Sequence, residues 1–396
     1  MSPVLPLRVL IGIVLIAAAS TRAAAAPFVP QSDSQVLERL PFTPSDPTMR
    51  NLHALNSQLA RKPDNLPLAI RVAQGYLEVG RVTGDPHYTG YAQAALAPWW
   101  HLEHAPQEVL VLRAAMRQRM HEFDAALADL ATVLSTNPRN AQARLMRATV
   151  LQVKGEYDEA REECHALQNL TQELVRVACL ASVNGVTGRL RESYDQLRSA
   201  LQRSPDNQPS LRGWVLTSLA EMAARAGMVP EAEEHFRAAL SLGAADYYLF
   251  GAFSDFLLDN NRPDEVLDLL RDRTAADPLL LRYALALQAQ HSKELPAQVE
   301  LLRDRFAASR LRGDRVHLRE EARFTLRLLN APQAALQLAQ ENWQVQKEPT
   351  DVRILLEAAL AAADTVAVDA VADWLQNCRL EDVQLTPLMQ YAKQPG

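Results

Sequence analysis

Residues 155–160, GEYDEA, decide the fold of this chain, because similar sextets recur at nearly regular spacing along the sequence. HEFDAA precedes it at 121–126, and GRLRES follows it at 188–193. Three further copies are GMVPEA, NRPDEV and NAPQAA, which begin at positions 227, 261 and 330. A period of about 34 residues indicates a protein built from one repeated supersecondary unit.

Six units place small or slim residues at fixed distances from a turn residue, one seven positions before it and one five positions after it. This pattern predicts a helix, a tight turn with a left-handed residue and a second helix, with small residues at the helix crossing. The predicted turn residues are His121, Gly155, Gly188, Gly227, Asn261 and Thr365, and the small residues after them are Ala126, Ala160, Ser193, Ala232, Val266 and Ala370.

The composition favours a helical protein with a large core. The chain has 396 residues, of which 48% are hydrophobic, and only 14 glycines and 6% aromatic residues. Alanine, leucine, arginine and glutamate, which favour helices, are abundant. The net charge of −6 is mild, and without a cluster of basic residues it gives no support for nucleic-acid binding.

Residues 141–163, AQARLMRATVLQVKGEYDEAREE, resemble a tetratricopeptide repeat nearly residue for residue. The resemblance extends over roughly 65–378 and is clearest in 107–278. It implies an all-α, right-handed superhelical solenoid of about nine helix-turn-helix repeats, whose concave face binds a peptide or helix of another protein. The alternative is a plain helical bundle with accidental periodicity, which the repeated spacing argues against.

Residues 1–25 have the layout of a secretory signal peptide. One basic residue precedes the apolar segment 9–19, and small residues follow it, so we expect cleavage close to Ala26. The apolar segment is about half as long as a transmembrane helix, which makes the alternative of a permanent anchor less favourable. We therefore expect a periplasmic or secreted protein, from a Gram-negative bacterium, with no stable membrane insertion after cleavage.

The rest of the chain divides into three predicted parts. Residues 26–63 form an extended leader with a short helix near 48–61. Residues 64–312 form the repeat array, and residues 313–396 form degenerate repeats and a C-terminal cap that covers the last exposed face.

The sequence contains no glycine-rich phosphate loop, nucleophile elbow or HExxH motif, so we expect no enzymatic activity and no cofactor. His101 and His104 lack a third metal ligand, and we interpret their segment as a loop between repeats rather than a metal site. Trp99 and Trp100 are either a ligand platform or a plug between repeats, and the plug is the favoured interpretation.

Two arginines that lie one repeat apart, Arg113 and Arg147, recur together with Asp124 and Asp158. Because the same spacing appears twice, the sequence predicts a repeated surface ion pair rather than a binding site.

Cys164 and Cys179 are predicted on antiparallel neighbouring helices, six to nine positions on either side of the connecting turn. An oxidising periplasm would allow a disulfide if their α-carbons lie within about 7 Å. The alternative is two small buried residues that face different ways. Cys378 would remain as the odd thiol.

The candidate partner-binding residues are Trp214 and Glu221 in one repeat, with Tyr248 and Asp255 in the equivalent places of the next. Each aromatic residue precedes its acid by seven positions, so both lie on one face of the first helix. We expect this face to bind a partner segment that carries Lys or Arg beside apolar residues. In the alternative interpretation, the aromatic rings pack between repeats and the acids only solubilise the surface.

The favoured function is an exported, non-enzymatic scaffold that binds another protein. The alternative is a periplasmic carrier or envelope-assembly factor that binds a small molecule, a metal or a glycan in its groove. A purely structural spacer is a third class.

Overall fold

The computed structural model describes residues 46–204, 208–243 and 246–392, and these residues form 21 helices and no strand. The chain divides into a unit of residues 1–39 and a unit of residues 40–396, and only the second contains described residues. The predicted signal peptide therefore lies outside the described residues, as does the leader up to residue 45.

The described helices form nine consecutive pairs, flanked by α1 (Pro47–Arg61) and α21 (Leu385–Ala392). Helix α1 lies where a short helix is expected in the leader, and α4 (Ala97–Trp100) is a single turn after the first pair. The pairs are α2 (Leu66–Thr83) with α3 (His87–Ala95), α5 (Gln107–Arg119) with α6 (Phe123–Thr136), α7 (Ala141–Lys154) with α8 (Tyr157–Ala166), α9 (Glu173–Asn184) with α10 (Leu190–Gln202), α11 (Pro209–Arg225) with α12 (Val229–Ser241), α13 (Tyr247–Asp259) with α14 (Pro263–Leu270), α15 (Asp277–Ala289) with α16 (Leu295–Leu311), α17 (Leu318–Arg327) with α18 (Pro332–Trp343), and α19 (Pro349–Ala361) with α20 (Thr365–Cys378).

Left-handed residues stand at the turns, as the repeat pattern predicts. The backbone has positive φ at five of the six predicted turn residues, which are His121, Gly155, Gly188, Gly227 and Asn261. His291 and Asn330 also have positive φ, and Asn330 begins the NAPQAA copy of the sextet. The small residues Ala126, Ala160, Ser193, Ala232 and Val266 are all buried, which confirms the predicted helix crossings.

The prediction for the last pair is wrong by two residues. The turn residue is Ala363, with φ of 55°, and Thr365 already begins α20. The side chain of Asp364 caps that helix by accepting a hydrogen bond from the backbone nitrogen of Ala367. Ala370 is consequently exposed rather than at a helix crossing.

The two repeated arginines also differ from expectation. Arg113 pairs with Asp129 at 2.6 Å and is buried, and Arg147 pairs with Glu163 at 2.5 Å. Both acids lie 16 positions after their arginine, on the second helix of the pair, where the two helices pack face to face. The predicted acids pair elsewhere, Asp124 with Lys154 and Asp158 with Arg161.

The buried apolar residues form five clusters that follow one another along the chain. Their buried members lie in the ranges 49–143, 148–183, 174–286, 280–324 and 322–385. Each cluster therefore joins helix pairs that are neighbours in sequence, which is how a solenoid builds its core.

The array also coils far enough for distant pairs to meet. Arg81 on α2 forms an ion pair with Asp246, which is 165 residues away. The Tyr157 hydroxyl donates to the carbonyl of Lys347 across a separation of 190 residues. These separations correspond to about five repeats, so the sixth pair lies against the first pair, and the linker before the ninth pair lies against the third. No helix in the described ranges is long and apolar enough to cross a membrane.

Candidate binding site on the inner face

Helices α11 and α13 carry the four residues that the sequence singles out. Trp214 is 40% exposed and Tyr248 is 48% exposed, whereas Phe253 and Phe256 on the same helix as Tyr248 are buried. Large aromatic side chains left exposed beside buried ones are frequent features of binding surfaces. We call the surface formed by Trp214, Glu221, Tyr248 and Asp255 the inner face.

The structure brings Tyr248 and Glu221 into direct contact. The Tyr248 hydroxyl donates a hydrogen bond of 2.7 Å to a carboxylate oxygen of Glu221. Burial raises the pKa of Glu221 to about 7, and the nearby carboxylates of Glu348 and Asp255 act in the same direction. The Tyr248 hydrogen bond and the guanidinium of Arg225 lower this pKa and so oppose the shift. Glu221 therefore changes its charge close to neutral pH.

Asp255 is not available for a partner in the way that the sequence indicates. It lies between Arg282 on α15 and Arg323 on α17, with a distance of 2.6 Å to each guanidinium. Burial alone would raise the pKa of Asp255, but the two arginines outweigh it and hold this pKa below its ordinary value. The negative charge of Asp255 is thus compensated by two arginines of the same chain. Glu221, whose carboxylate accepts a hydrogen bond from the Tyr248 hydroxyl, is therefore the better candidate to bind a partner's cation.

Sequence reasoning missed the arginines that face α13 from later pairs. Arg353 on α19 contacts both carboxylate oxygens of Asp259, at 2.7 and 2.8 Å. Arg319 on α17 pairs with Glu348 at 2.8 Å, and both groups act electrostatically on Tyr248. The signal in the sequence was the spacing of Arg319 and Arg323, which lie four apart and share one face of α17.

The two cysteines form a disulfide in the structure. Cys164 on α8 and Cys179 on α9 have α-carbons 5.5 Å apart, and both residues are buried. The α-carbons therefore lie within the distance of about 7 Å that the predicted disulfide requires. Cys378 is half-buried and remains a free thiol.

The other candidate groups do not assemble into a metal site in the described part of the chain. Among the described residues no three His, Cys, Asp or Glu side chains are placed to hold a metal ion. His101 and His104 are exposed in the loop before α5. Trp100 is buried in the first apolar cluster, and Trp99 packs partly against it, as expected for a plug between repeats.

The tetratricopeptide repeat family model matches residues 119–178 of this chain. No protein among the curated sequences matches it. In the crystal structure of the APC/C hetero-tetramer Cut9-Hcn1, the similar chain is 13% identical, with a TM-score of 0.42 over 78% of this chain and 52% of that chain. This protein thus spans about half the length of that chain.

Two further solved structures are similar to a comparable extent. Yeast Tom70 is 12% identical, with a TM-score of 0.39 over 87% of this chain and 85% of that chain. A tetratricopeptide repeat protein from Parabacteroides merdae is 11% identical, with a TM-score of 0.37 over 78% of this chain and 98% of that chain. The fold is an all-α superhelical solenoid of helix pairs, with tetratricopeptide repeats identified at 119–178.

Proposed function

We propose that this protein is an exported, non-enzymatic scaffold that binds a segment of a partner protein on its inner face. The observation that carries this proposal is the exposure of Tyr248, whose hydroxyl contacts the Glu221 carboxylate, together with the exposure of Trp214 on the helix that carries Glu221. The rings supply contact area and attract cations through their faces, and the carboxylate supplies charge complementarity. The partner segment carries Lys or Arg next to apolar residues.

Export is proposed from two features of the chain. The apolar segment 9–19 has the length of a signal-peptide core rather than a membrane span. A disulfide between Cys164 and Cys179 suits an oxidising compartment such as the periplasm.

The binding test uses a synthetic peptide of alternating lysine and leucine residues and measures its affinity by calorimetry at pH 8. Glu221→Gln keeps an acceptor for Tyr248 but removes the charge, and we expect it to weaken binding about tenfold. Glu234→Gln is the matched control, because Glu234 is exposed on α12, the second helix of the same pair. The inner face would be excluded as the binding site if Glu221→Gln and Glu234→Gln bound the peptide with equal affinity. It would also be excluded if Trp214→Ala bound the peptide as tightly as the wild type.

An open depression of about 640 Å³ is the observation behind a second candidate function, a carrier of a small molecule or glycan. Its wall includes Leu190 and Arg225 on one side and Leu380, Val383 and Met389 on the other. This volume is within the range of small-molecule sites. A glycan or small molecule that raises the melting temperature of the pure protein, and loses this effect in Met389→Ala, would favour the carrier.

A further inference from the structure

We propose that the last two helix pairs gate the inner face, and that the coil opens reversibly where these pairs touch the middle of the array. We call three links the coil contacts: Lys347 with Val153, Val383 with Arg225, and Arg353 with Asp259. This proposal concerns access to the binding site and so rests on the proposed function, although the opening itself can be measured without a partner.

Two of the coil contacts are hydrogen bonds between main-chain groups. The backbone nitrogen of Lys347 donates to the carbonyl of Val153 at 2.7 Å, and that of Val383 donates to the carbonyl of Arg225 at 2.9 Å. Both acceptors lie in the last turn of a first helix, where carbonyl groups lack partners within the helix. The linkers that precede α19 and α21 therefore satisfy helix ends of the third and fifth pairs.

The chain approaches these turns very closely. A β-carbon added to Gly188 would lie 2.9 Å from the β-carbon of Arg379, and one added to Gly227 would lie 3.2 Å from a methyl carbon of Val383. Glycine at these turns therefore serves two purposes, since it provides the positive φ and also leaves room for the segment that follows the last pair.

The coil contacts differ in character from the contacts between neighbouring pairs. Within the described ranges, each of the five apolar clusters stays within neighbouring pairs, and none of them joins the last two pairs to α7, α11 or α13. The coil contacts are hydrogen bonds and an ion pair, which water and salt can replace when they separate. Opening here would leave the continuous core of the solenoid intact.

The gated surface is the inner face itself. Arg319 and Glu348, which belong to the last two pairs and the linker between them, act on Tyr248, and Arg323 reaches across to Asp255. A partner segment long enough to lie along α11 and α13 would meet these side chains. Moving the last two pairs away would widen the space in front of Tyr248, which is already 48% exposed, and of Glu221, so that a partner segment could lie along both helices.

The test breaks one coil contact and compares it with an equivalent ion pair elsewhere. Asp259→Asn removes a carboxylate that Arg353 contacts at 2.7 and 2.8 Å. Glu233→Gln is the matched control, because Arg262 contacts Glu233 at the same two distances, but within the neighbouring pairs that contain α12 and α14. Hydrogen exchange at the amides of Lys347 and Val383 reports opening, and small-angle scattering reports the radius of gyration.

We expect Asp259→Asn to accelerate exchange at both amides about tenfold and to increase the radius of gyration, while Glu233→Gln changes neither. A melting curve for each variant separates local opening from unfolding. Exchange at Lys347 and Val383 that is as slow as exchange in the buried part of α11, in every variant and at high salt, would overturn the gate. Opening without any gain in binding of the lysine-leucine peptide would support the reversible opening but contradict the inner face as the binding site. Peptide binding without opening would support the proposed function and contradict the gate.

Discussion

The hydroxyl of Tyr248 lies 2.7 Å from the carboxylate of Glu221 and donates a hydrogen bond to it, which joins two consecutive helix pairs on the inner face. The contact places a carboxylate that titrates near neutral pH beside an exposed aromatic ring. A cation from a partner would favour the ionised form of Glu221, so binding and proton release are coupled at this position. Peptide binding should therefore weaken as the pH falls below about 7.

Glu221→Gln should make the protein more stable than the wild type at pH 8. The folded pKa of Glu221 is about 7 and its ordinary value is 4.5, so the folded state holds the proton more tightly than the unfolded state. The wild type consequently loses stability as the pH rises from 4.5 to 7, and the full loss is present above 7. We expect a gain of about 1–2 kcal/mol for the variant at pH 8 and none at pH 4.5, measured by urea unfolding. Equal stability of both proteins at pH 8 would contradict the raised pKa of Glu221.

His121 should make the fold sensitive to acid. Burial lowers the pKa of its imidazole to about 4, from an ordinary value of 6.5, and the guanidinium of Arg319 acts in the same direction. The unfolded chain therefore takes up a proton between pH 6.5 and 4 that the folded chain refuses, so stability falls as the pH falls through this window. We expect a loss of about 2 kcal/mol by pH 4 from this residue.

His121→Asn is the variant that tests this expectation. Asparagine tolerates the left-handed conformation of His121, which has φ of 57°, but it does not titrate. Urea unfolding at pH 7.5 and pH 5 should show a smaller difference for the variant than for the wild type. An unchanged difference would assign the acid sensitivity to other groups.

Ala160→Phe should destabilise the protein by about 1–3 kcal/mol, because a large ring would be forced into a helix crossing. Ala160 is fully buried. Ala370→Phe is the control, since the sequence pattern assigns Ala370 the equivalent position but the structure exposes it. We expect that variant to change the free energy of unfolding by less than about 0.5 kcal/mol. An equal loss of stability in the two variants would mean that Ala370 lies at a helix crossing, as the sequence pattern predicts.

The repeat pattern predicted what depends on local geometry. A left-handed turn favours glycine or asparagine, which stand at four of the five turns from His121 to Asn261, and a close helix crossing favours a small residue. These local requirements placed the five turns correctly. In the last pair no glycine or asparagine marks the turn, and Ala363 adopts the left-handed conformation without a residue type that identifies it. The capping role of Asp364 was the signal that could have corrected the register.

The charges of the inner face could not be predicted in the same way. Asp255 was assigned to a partner because it follows Tyr248 by seven positions and so lies on the same face of the helix as that ring. Its partners are Arg282 from the next pair and Arg323 from the pair after that, and Arg323 reaches it because the array coils. The repeat period does not predict this coiling, because the sequence pattern describes only the geometry within a pair and that geometry is similar in every pair.

The ion pairs of Asp255 change what is expected when Glu221 and Asp255 are both replaced by lysine. From sequence we would expect Glu221→Lys with Asp255→Lys to leave the melting temperature nearly unchanged. A lysine at position 255 would stand between the guanidinium groups of Arg282 and Arg323, so three positive charges would repel one another in a half-buried place. Neutral substitution of Glu221 alone is therefore the appropriate test of binding.

Mass spectrometry of the protein exported from a Gram-negative host should find a new N-terminus within a residue or two of Ala26. The apolar segment 9–19 is too short to span a bilayer but suits recognition and cleavage of a signal peptide. The control is a chain that begins at Ala26, which should remain in the cytoplasm. Intact Met1 in the membrane fraction would instead mean a permanent anchor.

Reduction of the bond between Cys164 and Cys179 should lower the free energy of unfolding by about 3 kcal/mol, because the bond restricts a short loop in the unfolded chain. The two residues are 15 positions apart, and both are buried, so the folded protein should resist mild reductants and lose the bond only as it unfolds.

Urea unfolding of Cys378→Ser with and without reductant measures the effect, and the substitution keeps the odd thiol from exchanging with the bond. Thiol titration of the wild type in denaturant should give one free thiol before reduction and three after it. Three free thiols before reduction would mean that the cysteines pack side by side without bonding, and the support that the disulfide gives to an oxidising compartment would then be lost.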